Sequence, residues 1–107
     1  MEEQQEQNII IFKLTSGDEV IANMIGEQGQ VFVLENPYAF TYTTTPDGKL
    51  NGGIMKWMGQ SSDGIVMLNA HQVVATTTPK DEIIRAYNIS AGNIPNIEIP
   101  EQKIILG

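Results

Sequence analysis

The sequence predicts a mainly β fold. The expected architecture is a small, strongly bent antiparallel barrel of five strands, with an extended hairpin between strands three and four and a short C-terminal helix. Three observations carry that expectation. Residues 8–37, NIIIFKLTSGDEVIANMIGEQGQVFVLENP, alternate apolar, β-branched runs with glycine turns. Both faces of the first two strands are apolar, so neither is left to water as in a one-sided sheet. Turn residues then recur at short intervals as far as Thr78, where the pattern changes to that of a helix.

Residues 1–7, MEEQQEQ, lack apolar content and periodicity and are expected to be a mobile acidic tail. Ile9 to Leu14 form the first strand, with Ile10, Phe12 and Leu14 on one face and Ile9 and Ile11 on the other. Ser16-Gly17 supplies the hairpin turn. Val20 to Ile25 form the second strand, split between Val20, Ala22, Met24 and Ile21, Ile25. Gly26 to Gly29 turn the chain into Val31 to Leu34. Because both faces are apolar, the second must meet another layer or another subunit.

Asn36-Pro37 is expected to break the third strand, since proline removes a ladder donor. Tyr38 to Met58 then reads as a protruding hairpin around Pro46-Asp47-Gly48-Lys49, with Gly52-Gly53 marking a bulge or kink. Its aromatic and sulfur side chains, among them Phe40, Tyr42, Met55 and Trp57, are expected to pack across the hairpin or against a neighbour rather than form a binding platform. Ile65 to Leu68 and Val73 to Thr77 are two short strands separated by Asn69-Ala70-His71-Gln72. A helix is predicted over 79–89, with Thr78 as its cap, Pro79 in its first turn, and Asp81 and Glu82 at the positive end of its dipole. The barrel and helix together span 8–91. Residues 92–107, with Pro95 and Pro100, read as an extended C-terminal tail.

Composition excludes several classes of function. The chain has no Cys and one His, which removes disulfides, thiolate metal sites and any multi-His metal site within the chain. No apolar run reaches the ~18 residues of a membrane helix, and no secretory leader is expected before an acidic start. The net charge is −7, with six acids against three lysines inside residues 8–78 and seven acids against three bases outside. Such a balance argues against tight, sequence-independent phosphate binding, which needs clustered Lys and Arg. Asp18-Glu19 sits on a turn and Asp81-Glu82 on a helix start, with no His partner or metal framework. No catalytic residue, metal or cofactor is therefore expected, and the protein is read as non-enzymatic.

Two segments resemble the Sm/LSm family of ring-forming RNA-binding proteins. Leu14-Thr15-Ser16-Gly17, Val20 to Gly26 and Val31-Phe32-Val33-Leu34-Glu35-Asn36 follow its first motif in order and spacing. Gly64 to Val74 looks like its second, a corner between two short strands. LENPYAF, Lys56-Trp57 and Pro79 to Ile84 further resemble small Sm-like proteins of marine cyanophages. Departures are plain: Gln30 stands where an Asn is usual, the corner Arg-Gly is Asn69-Ala70, the linking hairpin is long, and the helix follows the barrel.

The resemblance implies a cytoplasmic homo-oligomeric ring of five to seven subunits, closed by pairing the last two barrel strands of adjacent copies. It implies RNA contact at Gln28 and Gln30 in the second turn and at Asn69, His71 and Gln72 in the corner. The chemistry fits, because amides read base edges and an imidazole stacks on a base. The competing expectation is that Asn69 and Gln72 hold the turn through side-chain–backbone bonds and that His71 is a surface turn residue. On that reading the chain is a structural or protein-interaction module with no nucleic-acid role.

Overall fold

The computed structural model describes residues 7–94 and 104–105. In chain order these are β1 (Ile9–Leu14), β2 (Glu19–Gln28), β3 (Val31–Thr44), β4 (Leu50–Lys56), β5 (Ile65–Asn69), a single 3-10 turn (Ala70–Gln72), β6 (Val73–Thr77), α1 (Asp81–Ser90) and β7 (Ile104–Ile105). All strand pairs are antiparallel and the order is β6-β1-β2-β3-β4-β7, with β5 also on β3. The long strand β3 makes this branching possible. Its first half, Val31 to Glu35, lies between β2 and β5, whereas Tyr38 to Thr44 carries β4. Strands β6, β1, β2, the first half of β3, and β5 thus make the curled five-stranded unit. The β3–β4 hairpin leaves it as an extension.

Two-residue alternation sorts the side chains into two cores. Phe12, Leu14, Val20, Ala22, Leu34 and Leu68 are buried on the inner face, with Ile10, Met24, Phe32, Trp57 and Val73 packed against them. The outer face holds Ile9, Ile21, Tyr38 and Tyr87, joined by Ile11, Phe40, Ile54, Ile83, Ile84 and Ala91. Helix α1 is therefore the layer that covers the second apolar face. A ten-residue helix is marginal alone. Docking holds it, through the fully buried Tyr87 ring and hydroxyl bonds from Tyr87 to the Glu35 and Asn36 carbonyls. Tyr38 answers from the sheet, donating to the Ser90 carbonyl at 2.8 Å.

The curl comes from irregularities in the β2–β3 pairing. Ile21 faces Tyr38 and Asn23 faces Glu35, so Asn36 and Pro37 together oppose Ala22. This bulge increases the local bend. It also answers the expected break at Asn36-Pro37: β3 runs through, because a bulge tolerates a residue without an N–H. A second shift between Met24 and Gly26 turns Ile25 outward, leaving it 51% exposed and removing it from the face of Ile21.

Three further local expectations need correction. The second turn is only Gly29-Gln30, since β2 continues to Gln28 opposite Val31. Gly29 takes φ +61, which suits a tight hairpin with glycine first. Gly52-Gly53 makes no bulge, and the β3–β4 register is continuous from Tyr38↔Lys56 to Thr44↔Leu50. Strand β7 pairs with β4 at Asn51↔Ile105 and Gly52↔Ile104. Helix α1 begins at Asp81, with Lys80 as its cap residue and no side-chain capping bond. Pro79 is buried against the fold instead of opening the helix. The acidic tail (1–7) and the C-terminal extension (92–107) fall mostly outside the described residues. No helix among those described is long and apolar enough to cross a membrane.

Candidate nucleic-acid interface

Three turns meet at one end of the curled unit. The β1–β2 turn is closed by the Leu14 N–H on the Asp18 carbonyl, with Gly17 at φ +98. The Ala70 N–H donates to the Gln30 carbonyl at 2.8 Å, tying the corner to the β2–β3 turn. The Thr15 N–H donates to the Gln72 carbonyl at 2.8 Å, and the Thr15 hydroxyl donates to Gln72 Oε1 at 2.6 Å. The corner is thus pinned on both sides. Gln28, Gln30, Asn69, His71 and Gln72 are all exposed at this end, and the Val31↔Asn69 pair brings the Gln30 turn and the corner together.

Local bonding decides what each side chain has left to offer. Asn69 Oδ1 accepts the His71 N–H at 2.9 Å, capping the 3-10 turn and committing its oxygen. Gln72 Oε1 is committed to Thr15. Their amide N–H groups, the Gln28 and Gln30 amides and the His71 ring remain for a ligand. The sequence reading missed Thr15, although it lies inside the Leu14-Thr15-Ser16-Gly17 turn singled out there. Cations are scarce: residues 14–34 and 57–79 contain neither Lys nor Arg. The one ion pair among the described residues, Lys13–Glu19 at 3.5 Å, involves β1 and β2 outside the three turns. This surface suits hydrogen bonding and stacking with bases better than grip on phosphates.

The aromatic side chains of the hairpin do not gather on one face. Trp57 packs on the inner core and Phe40 on the outer one, while Tyr42 and Met55 stay exposed.

The curled antiparallel unit, with turns gathered at one end and a helix on its outer face, defines a small-barrel module of the kind that presents loops from a rigid scaffold. A family model for the Sm_like domain matches residues 11–88, and the chain belongs to the Sm-like domain family. That family is commonly RNA-related and generally non-enzymatic. No curated protein sequence matches the chain.

Proposed function

We propose that this chain closes into a homo-oligomeric cytoplasmic ring, of five to seven copies, that contacts single-stranded RNA through its three-turn end. The observation that supports the ring is the state of the sheet edges. Among the described residues, β5 pairs only with β3 and β6 only with β1. Among the described residues, Met67 on β5 and Val74 on β6 are the most exposed large hydrophobics, at 66% and 64%. Pairing the β5 edge of one copy with the β6 edge of the next removes both liabilities at once. The RNA contact then rests on Gln28, Gln30, Asn69, His71 and Gln72.

The test measures mass by light scattering after size exclusion, and RNA binding by anisotropy on the same sample. A stable monomer at micromolar concentration removes the ring. Replacing Gln30, Asn69 and His71 with Ala should abolish RNA binding without changing the mass. A second reading keeps the barrel but assigns it a structural or protein-interaction role. The commitment of Asn69 Oδ1 and Gln72 Oε1 to local bonds favours it, as does the absence of Lys and Arg from residues 14–34 and 57–79. Under that reading the unmodified protein gives no RNA signal.

A further inference from the structure

A cleft of about 200 Å³ opens at the root of the β3–β4 hairpin, lined by residues from β3, from the segment after β4 and from the start of β5. It lies at the opposite end of β5 from the three turns and shares no residue with them.

The cleft is where backbone strain collects. Asn36 (φ +50) and Met58 (φ +59) are the non-glycine residues with positive φ among those described, and both line it. Asn tolerates that conformation, whereas a Met there is an outlier that the surroundings must enforce. Gly64, at φ +74, completes the wall, and a Cβ there would lie 2.7 Å from Asn36 Oδ1. The Asn36 N–H bonds the Gly64 carbonyl at 2.7 Å and the Trp57 N–H bonds the Pro37 carbonyl at 2.9 Å, so both sides are held in place. Strain of this kind persists where a site is being shaped.

Its chemistry separates into committed and uncommitted groups. Ser61 Oγ and Asp63 Oδ1 are committed to the loop itself, bonding each other and the Gly64 and Ile65 N–H groups, while Asp63 Oδ2 has no partner among the described residues. Among the described residues, the Asn36 side-chain amide and the Lys56 ammonium have neither a hydrogen-bond nor an ion-pair partner. Trp57 is packed against the inner core and also borders the cleft. Size then limits the ligand. A cavity near 150 Å³ takes one benzene-sized ring, whereas whole drug-sized ligands need about 300–1,000 Å³. This cleft has room for one planar ring system, with any substituent left outside, toward the exposed Lys56.

We propose that the cleft binds a single nucleobase against Trp57, with the base edge on the Asn36 amide and the attached phosphate on Lys56. Stacking on an aromatic ring and pairing with a cation are the interactions that recognise a nucleotide. The site is independent of the RNA reading of the three-turn end. The nucleotide comes either free or as a unit of a strand, and the experiment separates the two sources.

Isotope-labelled full-length protein is titrated with adenosine monophosphate, uridine monophosphate, adenosine, ribose phosphate and a short oligouridylate. The readout is the indole N–H resonance of Trp57, the chain's one Trp. Both monophosphates should shift it saturably, together with the Asn36 and Gly64 amides, and ribose phosphate should not. Lys56→Gln, at an exposed position, should weaken the monophosphates about fivefold and leave adenosine unchanged. Tighter oligouridylate binding at Trp57 assigns the site to a strand, and weaker binding assigns it to free nucleotide. Ala at Asn69 and His71 should leave the Trp57 response intact. An indole that ignores both monophosphates overturns the proposal. So does one that responds equally to ribose phosphate, or that moves with protein dilution alone, which would make the cleft a subunit contact.

Discussion

The Tyr87 hydroxyl lies 2.9 Å from the carbonyl oxygen of Asn36 and donates to it, across 51 residues of chain. The Glu35 carbonyl shares the same proton at 3.0 Å. These carbonyls stand at the bulge where β3 bends, beside the left-handed Asn36. One helix side chain therefore supplies both the largest buried ring of the outer core and the polar partner of the bend. The T-shaped contact with Tyr38, centroids 5.8 Å apart, locks the two tyrosines together.

Tyr87→Phe keeps the ring and removes the donor. Two carbonyls at a part-buried bend then lose a partner, which costs about 1–2 kcal/mol. Urea unfolding followed by circular dichroism should show the midpoint fall with the slope unchanged. An unchanged midpoint would mean that water replaces the hydroxyl at no cost.

Alkaline pH should act through the same group. Burial above all, with the Glu35 carboxylate adding, pushes Tyr87 up from 10.0 to about 12. The folded state thus holds this proton more tightly than the unfolded chain does. The resulting stability is fully present below pH ~10 and is lost as pH rises through ~12, about 2–3 kcal/mol in all. Urea midpoints measured across that window should fall steeply for the unmodified chain and less steeply for Tyr87→Phe, in which burial still raises Tyr38, and burial with the Glu19 bond still raises Tyr42. Equal slopes in both proteins would place the alkaline loss elsewhere.

Gly64 tests the wall of the cleft. An alanine there has to adopt φ +74 and pushes its Cβ to within 2.7 Å of Asn36 Oδ1, so Gly64→Ala should cost about 1–3 kcal/mol. Adding Asn36→Gly removes the clashing amide and should recover part of the loss, leaving only the strain at position 64. A double-mutant cycle in thermal unfolding reads the coupling. Strict additivity would mean that the Asn36 side chain swings away freely.

How much of this was legible beforehand depends on whether local chemistry or distant pairing decided the outcome. The Ser16-Gly17 and Asp47-Gly48 turns were legible because glycine at positive φ is a local requirement. The inner and outer faces of β1 followed from alternation alone. The bulges were not legible: whether Pro37 ends β3 or rides through it depends on Ala22, a residue on another strand. The same applies at Ile25, which alternation places beside Ile21 and a register shift leaves exposed. The docking of α1 on the outer face needed a partner for that face, which the sequence required but could not name. At the three-turn end, the family resemblance had named Gln30 and the Asn69 corner together only as RNA contacts. The Thr15–Gln72 bond was not legible, since it joins two turns 57 residues apart.

RNA binding at the three-turn end should depend only weakly on salt. Affinity for single strands falls with log salt at roughly 0.7 per phosphate neutralised, so the slope counts cations in contact. The turns at 15–18, 29–30 and 70–72 contain no Lys or Arg, and Asp18 and Glu27 lie in or beside them. Binding through the amides of Gln28, Gln30, Asn69 and Gln72 and the ring of His71 would instead rest on stacking at about 1–3 kcal/mol per base and on base-edge hydrogen bonds. An anisotropy titration of a short single strand at several salt concentrations should give a log–log slope below about 1 per subunit. His71→Ala should lower affinity at every salt concentration and leave that slope nearly unchanged. A steep slope, or loss of binding on removing Lys13 instead of His71, would move the contact off the three turns to a phosphate-gripping surface elsewhere on the molecule.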